Sequence, residues 1–282
     1  MFIGNKTDKA ELKGIIEEGI LRVLAEGKFQ EYLDFHANFS RYSLSNSLLI
    51  FLACPNATFI AGKKKWEELG RSVIEGVKPI MIFAPTFRKY TKEALNESTG
   101  EVETIERQWL TGFRSVNVYD VSQTYGKEIP SPVGFCRDFG DKTELLDRFI
   151  NIFGEKYRVE QKPLKAQLGG FITSNNTITL NSSKSEEQRL KTLIHEVAHG
   201  ELGHFASEDK TKDVKELEAE ITAYIVSRHF GVDSSQYSFG YLVSWSEGDI
   251  GLVHTALNAA HAVSSSIIEQ IEAAERAQQM AS

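Results

Sequence analysis

The run Leu193-Ile194-His195-Glu196-Val197-Ala198-His199 constrains this chain more than any other. It is an H-E-x-x-H pattern set in a segment whose apolar residues recur at three- and four-residue spacing. On a helix, residues four apart differ by about 40° in azimuth, so both imidazoles leave one face and can share a metal ion. Glu196 lies about 100° from His195, beside the ligands and not among them. That is the position of a general base. Zinc held by three protein ligands lowers the pKa of a coordinated water to about 7, and a neighbouring carboxylate can take its proton. The rival account is an amphipathic helix with two incidental histidines. The apolar residues before the motif and the acidic helix after it weigh against that account.

A third ligand has four candidates: His204, Glu216, Glu218 and Glu220. His204 is nine residues beyond His195, about 180° around a continuous helix, and points away unless Gly200 or Gly203 breaks it. Glu216 and Glu220 share one face of the next helix, while Glu218 falls on the opposite face and is expected to meet solvent. A ligating histidine needs a carboxylate on its other ring nitrogen, so two acids on one face can divide the roles of ligand and orienter. The segment Glu216-Leu217-Glu218-Ala219-Glu220 resembles the E-x-x-x-D helix of thermolysin-type peptidases. By that resemblance Glu216 is the zinc ligand and Glu220 orients a ligand histidine.

Length and charge say what surrounds the motif. At 282 residues the chain has room for two ordinary domains. Residues 1–132 hold 17 Lys/Arg and 17 Asp/Glu, so the whole net charge of −7 lies in residues 133–282. Within the balanced half, residues 60–92 gather eight basic residues against three acidic ones. Cys54 and Cys136 have no C-x-x-C spacing, which excludes a cysteine zinc site and a disulfide framework. The longest apolar run, residues 47–54 (SLLIFLAC), is far shorter than the roughly 20 residues that span a bilayer. The opening residues lack the pattern of a secretory signal. A cytoplasmic protein with no membrane partner is expected.

Periodicity predicts helix over residues 8–39 with a break at Gly27, then a short buried helix after the cap candidates Ser43, Ser45 and Asn46. Residues 79–85 (PIMIFAP) read as a buried strand that pairs with the alternating segment 113–121. Residues 91–106 read as a solvated hairpin or loop. Residues 124–133 (TYGKEIPSPV) carry Gly and two prolines without periodicity and make the best linker. Beyond it come a helix over 142–153, β segments near Val159 and over 171–180 with a turn at Asn175-Asn176, and helices over 185–204, 212–229 and 249–277.

The block over residues 169–204 (GGFITSNNTITLNSSKSEEQRLKTLIHEVAHGELGH), with KELEAEITAYIV and FGYLVSW after it, resembles the metallopeptidase domain of ArdC-type antirestriction proteins. In the first half, RYSLSNSLLI, ATFIAGKKKWEELGRSVIEGVKPIMIFAP and VNVYDVSQT are similar to the N-terminal domain of the same family. The resemblance implies an α+β protein of two domains: a small single-stranded-DNA-binding domain over residues 1–132 and a zincin-like metallopeptidase domain over 133–282. It implies zinc as cofactor, single-stranded DNA as partner, and a role in antirestriction or the transfer of mobile elements. Trp66 among Lys63, Lys64, Lys65 and Arg71 offers a stacking face beside cations, and Arg41, Tyr42 and Lys78 can join them. A plainer account buries Trp66 against the strands. An alternative for the whole chain is a regulatory metalloprotease that cleaves a repressor or another protein partner, with the first domain selecting the substrate.

Overall fold

The computed structural model describes residues 9–95, 102–129, 142–206, 209–233, 239 and 250–281. The N-terminal helical stretch is two helices, α1 (Lys9–Ala25) and α2 (Phe29–Asn38). Between them Gly27 has φ 67°, a conformation that glycine adopts at little cost. Ser43 caps α3 (Leu44–Ala53), its side chain accepting from the Asn46 amide. A short strand β1 (Ile60–Ala61), helix α4 (Lys63–Glu68) and β2 (Arg71–Val73) follow.

The long hairpin of β3 (Ile80–Leu95) and β4 (Val102–Asp120) dominates this half, with Ile80 opposite Val118 and β1 on the outer edge of β4. Both strands run through the polar stretch left open between loop and hairpin by the sequence, as far as Leu95 on one side and from Val102 on the other. Buried Asp120 ends β4. Its carboxylate accepts from the amides of Thr58, Phe59 and Ser122, which ties β1 and the following turn to one point. The strand β5 (Thr124–Gly126) then pairs with β2. Of the expected linker, residues 130–133 lie outside the described residues, as do Cys136 and most of 239–245.

The second half begins with α5 (Lys142–Phe153) and a three-stranded sheet of β6 (Arg158–Lys162), β7 (Gly170–Ile172) and β8 (Thr177–Asn181). β8 is central, parallel to β6 and antiparallel to β7. The turn into β8 puts Asn176 at φ 60°. Helix α6 (Glu186–Glu201) starts in a capping box, Ser185 with Gln188, and α7 (Lys212–His229) starts at Thr211, whose side chain accepts from the Val214 amide. A last helix, α8 (Ile250–Ala281), packs on α7.

One core runs through both halves. Phe29, Tyr32 and Leu33 of α2 are buried where α2 lies on α7, and α8 also meets α1 and α3. Polar pairs cross the same seam. His36, whose Nδ1 is 2.7 Å from Ser47 Oγ in its own half, reaches across with its Nε2 to within 3.0 Å of Nδ1 of His261 on α8. His229 of α7 faces the Ala37 carbonyl at 3.0 Å and Glu272 at 3.1 Å. Buried polar groups need such partners, so the seam is a specified junction and not a loose apposition. No helix among the described residues is long and apolar enough to cross a membrane.

Candidate metal centre

Helix α6 buries Leu190, Leu193, Ile194, Val197 and Ala198, which leaves His195 and His199 together on the remaining face. Their Nε2 atoms are 3.1 Å apart, and each is 3.6 Å from Oε2 of Glu216, near the start of α7. A tetrahedral ion with bonds of about 2.0–2.2 Å sets its donors about 3.3–3.6 Å apart, so the three atoms fit one small divalent ion. Among the described residues these three form the cluster of donors able to hold a metal.

The charges around the site are strongly coupled. Burial and then the neighbouring His195 push His199 down to about 4. Burial also pulls on His195, but Glu216 foremost, with Glu196 and Glu220, outweighs it and raises that ring. Contact with His195, helped by His199 and Lys212, holds Glu216 below the usual carboxylate range against burial. Glu196 behaves differently. Burial raises it, despite His195 and a hydrogen bond from the Ile172 backbone. A carboxylate lifted toward neutrality is a better proton acceptor at working pH. All four groups open on a cleft of about 620 Å³ lined also by Phe171, Phe205, Lys212 and Lys215, with the edge of β7 on one side.

Behind the ligands lies a chain of contacts that the sequence did not reveal. α6 ends at Glu201 because Gly203 takes φ 68°, and the chain then turns His204 back under the site. His204 Nδ1 is 2.8 Å from Nδ1 of His199, and its Nε2 is 2.9 Å from Glu218. Both oxygens of Glu218 accept from Lys210. With His199 Nε2 facing a metal, its Nδ1–H donates to His204, whose Nε2–H donates to Glu218. Burial raises Glu218, but the hydrogen bonds from His204 and Lys210 leave it below the ordinary carboxylate value.

One expectation is therefore corrected. Glu218 is not solvent-exposed; it is fully buried, because α7 is covered on that side by the His204 turn and Lys210. The outer nitrogen of His199 meets His204, which is backed by Glu218, and the charge of Glu220 helps to raise His195. The signal for this was present in the pair Gly200 and Gly203, of which Gly203 takes the left-handed conformation that redirects His204.

The basic face of the N-terminal half needs a further correction. Trp66 cannot stack on a base, since its side chain is 0% exposed, edge-on to Phe59 and donating from Nε1 to the Tyr119 carbonyl. Arg71 is a strut: its guanidinium donates to Thr124 and to the Lys127 carbonyl. Lys63, Lys64, Lys65 and Lys78 are exposed, Lys65 paired with Glu68. Tyr42 donates to the Ile60 carbonyl, and Arg41 reaches Glu272 across the seam at 3.2 Å.

Comparison with known proteins places both halves. Residues 16–119 match the model of the N-terminal domain of anti-restriction factor ArdC, and residues 150–227 match a peptidase family model described as the IrrE N-terminal-like domain. A crystal structure of the antirestriction ArdC protein from the R388 plasmid, Mn(II)-bound, superposes with a TM-score of 0.58 at 16% identity, over 92% of this chain and 97% of that one. The metal-free structure of the same protein gives 0.51 at 21% identity, over 82% and 85%. An uncharacterized protein of Bacillus anthracis is 28% identical over 281 residues, which cover 86% of this chain and 47% of the relative. The chain thus spans about half the length of the curated relative it matches.

Proposed function

Because the chain is an ArdC-type protein, joining an ArdC N-terminal domain to an IrrE-like peptidase domain in a mixed α+β architecture, we propose that it is a zinc-dependent peptidase that binds single-stranded DNA and serves antirestriction during the transfer of mobile DNA. On this reading residues 1–132 carry the DNA-binding part and residues 133–282 the metal site. The observation that carries the reading is the convergence of His195, His199 and Glu216 within 3.6 Å of one another, beside a carboxylate they do not use. A structural metal site has no need of Glu196.

His195, His199 and Glu216 hold the ion, and His204 with Glu218 fixes the ring plane and tautomer of His199. A divalent ion there supplies Lewis acidity toward a water and a carbonyl oxygen. Glu196 accepts the proton of the attacking water on its free carboxylate oxygen and hands it to the leaving amine. The Ile172 amide keeps the Glu196 carboxylate aimed into the cleft. β7 is an edge strand of its sheet among the described residues, which favours an extended polypeptide laid along it by strand addition. That edge is also what supports the second reading, a regulatory protease acting on a repressor or other protein partner.

The test is Glu196→Gln in the full chain. The variant retains its metal, measured by elemental analysis, and loses cleavage of a peptide library by several orders of magnitude. Equal turnover by the metal-loaded variant removes Glu196 from the chemistry.

A further inference from the structure

Beyond Thr86 on β3 and Thr111 on β4 the hairpin continues as a ribbon of two strands with no third strand beside it among the described residues. A register shift between Thr86 and Phe87 marks where it leaves the sheet. Past that shift Arg88 stands opposite Trp109 and Tyr90 opposite Arg107. Directly paired residues share a face and alternate pairs return to it, so these four side chains lie together. Trp109 is 57% exposed and Tyr90 46%, with ring centroids 6.3 Å apart and tilted by 58°. Such a cross-strand ring pair helps a marginal ribbon hold its shape, yet it leaves the outer face of each ring bare to water.

The two guanidiniums next to these rings have no ion-pair partner among the described residues, whereas Lys89 is paired with Glu106 on the opposite face. Bare aromatic faces that alternate with unpaired cations match a ligand whose flat apolar groups are strung on an anionic backbone. Single-stranded nucleic acid has that chemistry, and a duplex does not, because its base faces are stacked on one another. We infer that the ribbon beyond the register shift is the stacking surface for single-stranded DNA, with Trp109 and Tyr90 under the bases and Arg88 and Arg107 on the phosphates. The inference rests on the reading of the N-terminal half as a single-strand binder and moves the contact from Trp66, which is buried, to a tryptophan that is not.

The test uses the full chain and a fluorescein-labelled oligothymidylate, read by anisotropy across a salt series. Trp109→Ala and Tyr90→Ala each weaken binding roughly 5- to 150-fold and leave the salt slope unchanged. Arg88→Gln with Arg107→Gln reduces the slope of log affinity against log salt by about 1.4, for two phosphates. Trp109→Phe, which keeps a ring, loses less affinity than Trp109→Ala while its melting temperature stays at the wild-type value. If the ring variants bind with wild-type affinity while wild type binds well, the surface lies elsewhere and the single-strand reading survives. If wild type fails to bind the oligonucleotide, both fall together. If Trp109→Ala instead dissociates a dimer in sedimentation, the ribbon is a contact between copies and the inference is wrong.

Discussion

His204 and Glu218 are joined by a 2.9 Å hydrogen bond with both side chains almost wholly out of water, and the other ring nitrogen of His204 meets His199 at 2.8 Å. A carboxylate thus reaches the candidate metal site through two imidazoles in series. His204→Ala is expected to lower metal affinity about 10- to 100-fold, since groups that orient a ligand histidine carry that much. Chelator competition on the full chain measures it, and wild-type affinity in the variant would show that His204 merely fills space. Glu218→Ala goes further. It strips the partner from His204 and Lys210 at a buried position and should destabilise the fold by about 3–5 kcal/mol.

The two acids at the front of α7 are expected to separate cleanly. Glu216→Ala removes an oxygen donor from the triad and should abolish stoichiometric zinc. Glu220→Ala removes a charge that helps to raise His195 but no atom of the donor triad, and should leave zinc bound with affinity reduced less than tenfold. Elemental analysis after gel filtration reads both, and full occupancy in Glu216→Ala sinks the ligand assignment.

Trp66→Ala should behave as a core deletion. Its side chain is fully buried and its indole N–H is satisfied by the Tyr119 carbonyl, so truncation costs about 3–5 kcal/mol in urea denaturation. A variant of wild-type stability that has lost DNA affinity would return Trp66 to the binding face.

Acid should loosen the seam between the halves. Burial, and then His261, hold His36 at about 3, well below its ordinary 6.5. The unfolded ring takes a proton below about 6.5 and the folded ring refuses it until about 3, so the unfolded state binds more protons across that window. Stability therefore falls as pH drops from about 6.5 toward 3, by up to about 1.4 kcal/mol per pH unit for this one proton. Glu272 adds to the lower part. Its contact with His229, ahead of Arg41 and against burial, depresses it to about 2, so its contribution is full above its ordinary 4.5 and lost as pH falls toward 2. Melting curves from about pH 7.5 to 4.5, with chelator present throughout, should show a shallower acid slope for His36→Asn than for wild type. Parallel slopes would mean that His36 stays neutral in both states.

The metal-facing side of α6 was legible because H-E-x-x-H sits on a helix whose period fixes where its side chains point, and the structure brings those histidines to Glu216. The β3/β4 pairing was legible for the same reason, alternation read at period two. His204 was not, because its place depends on a single left-handed glycine that ends the helix early, and helix geometry applied past Gly203 sends the ring the wrong way. Glu218 was misplaced by the rule that an acid opposite the functional face meets solvent, which fails when a turn returns to cover that face. Trp66 among lysines reads alike whether its ring is out or in. Only the fold, which brings Phe59 and the Tyr119 carbonyl to it, decides between them.

The seating of α2 on α7 and α8 bears on how the chain is made. During synthesis α1 to α3 leave the ribosome well before α8, which begins roughly 200 residues after α2 ends. At typical elongation rates that interval is on the order of ten to forty seconds. Through it the apolar side of α2 and the His36 site wait for partners that do not yet exist. The nascent N-terminal half is thus a natural client for chaperones, and a premature stop codon within α8 damages the N-terminal half as surely as the candidate metal site.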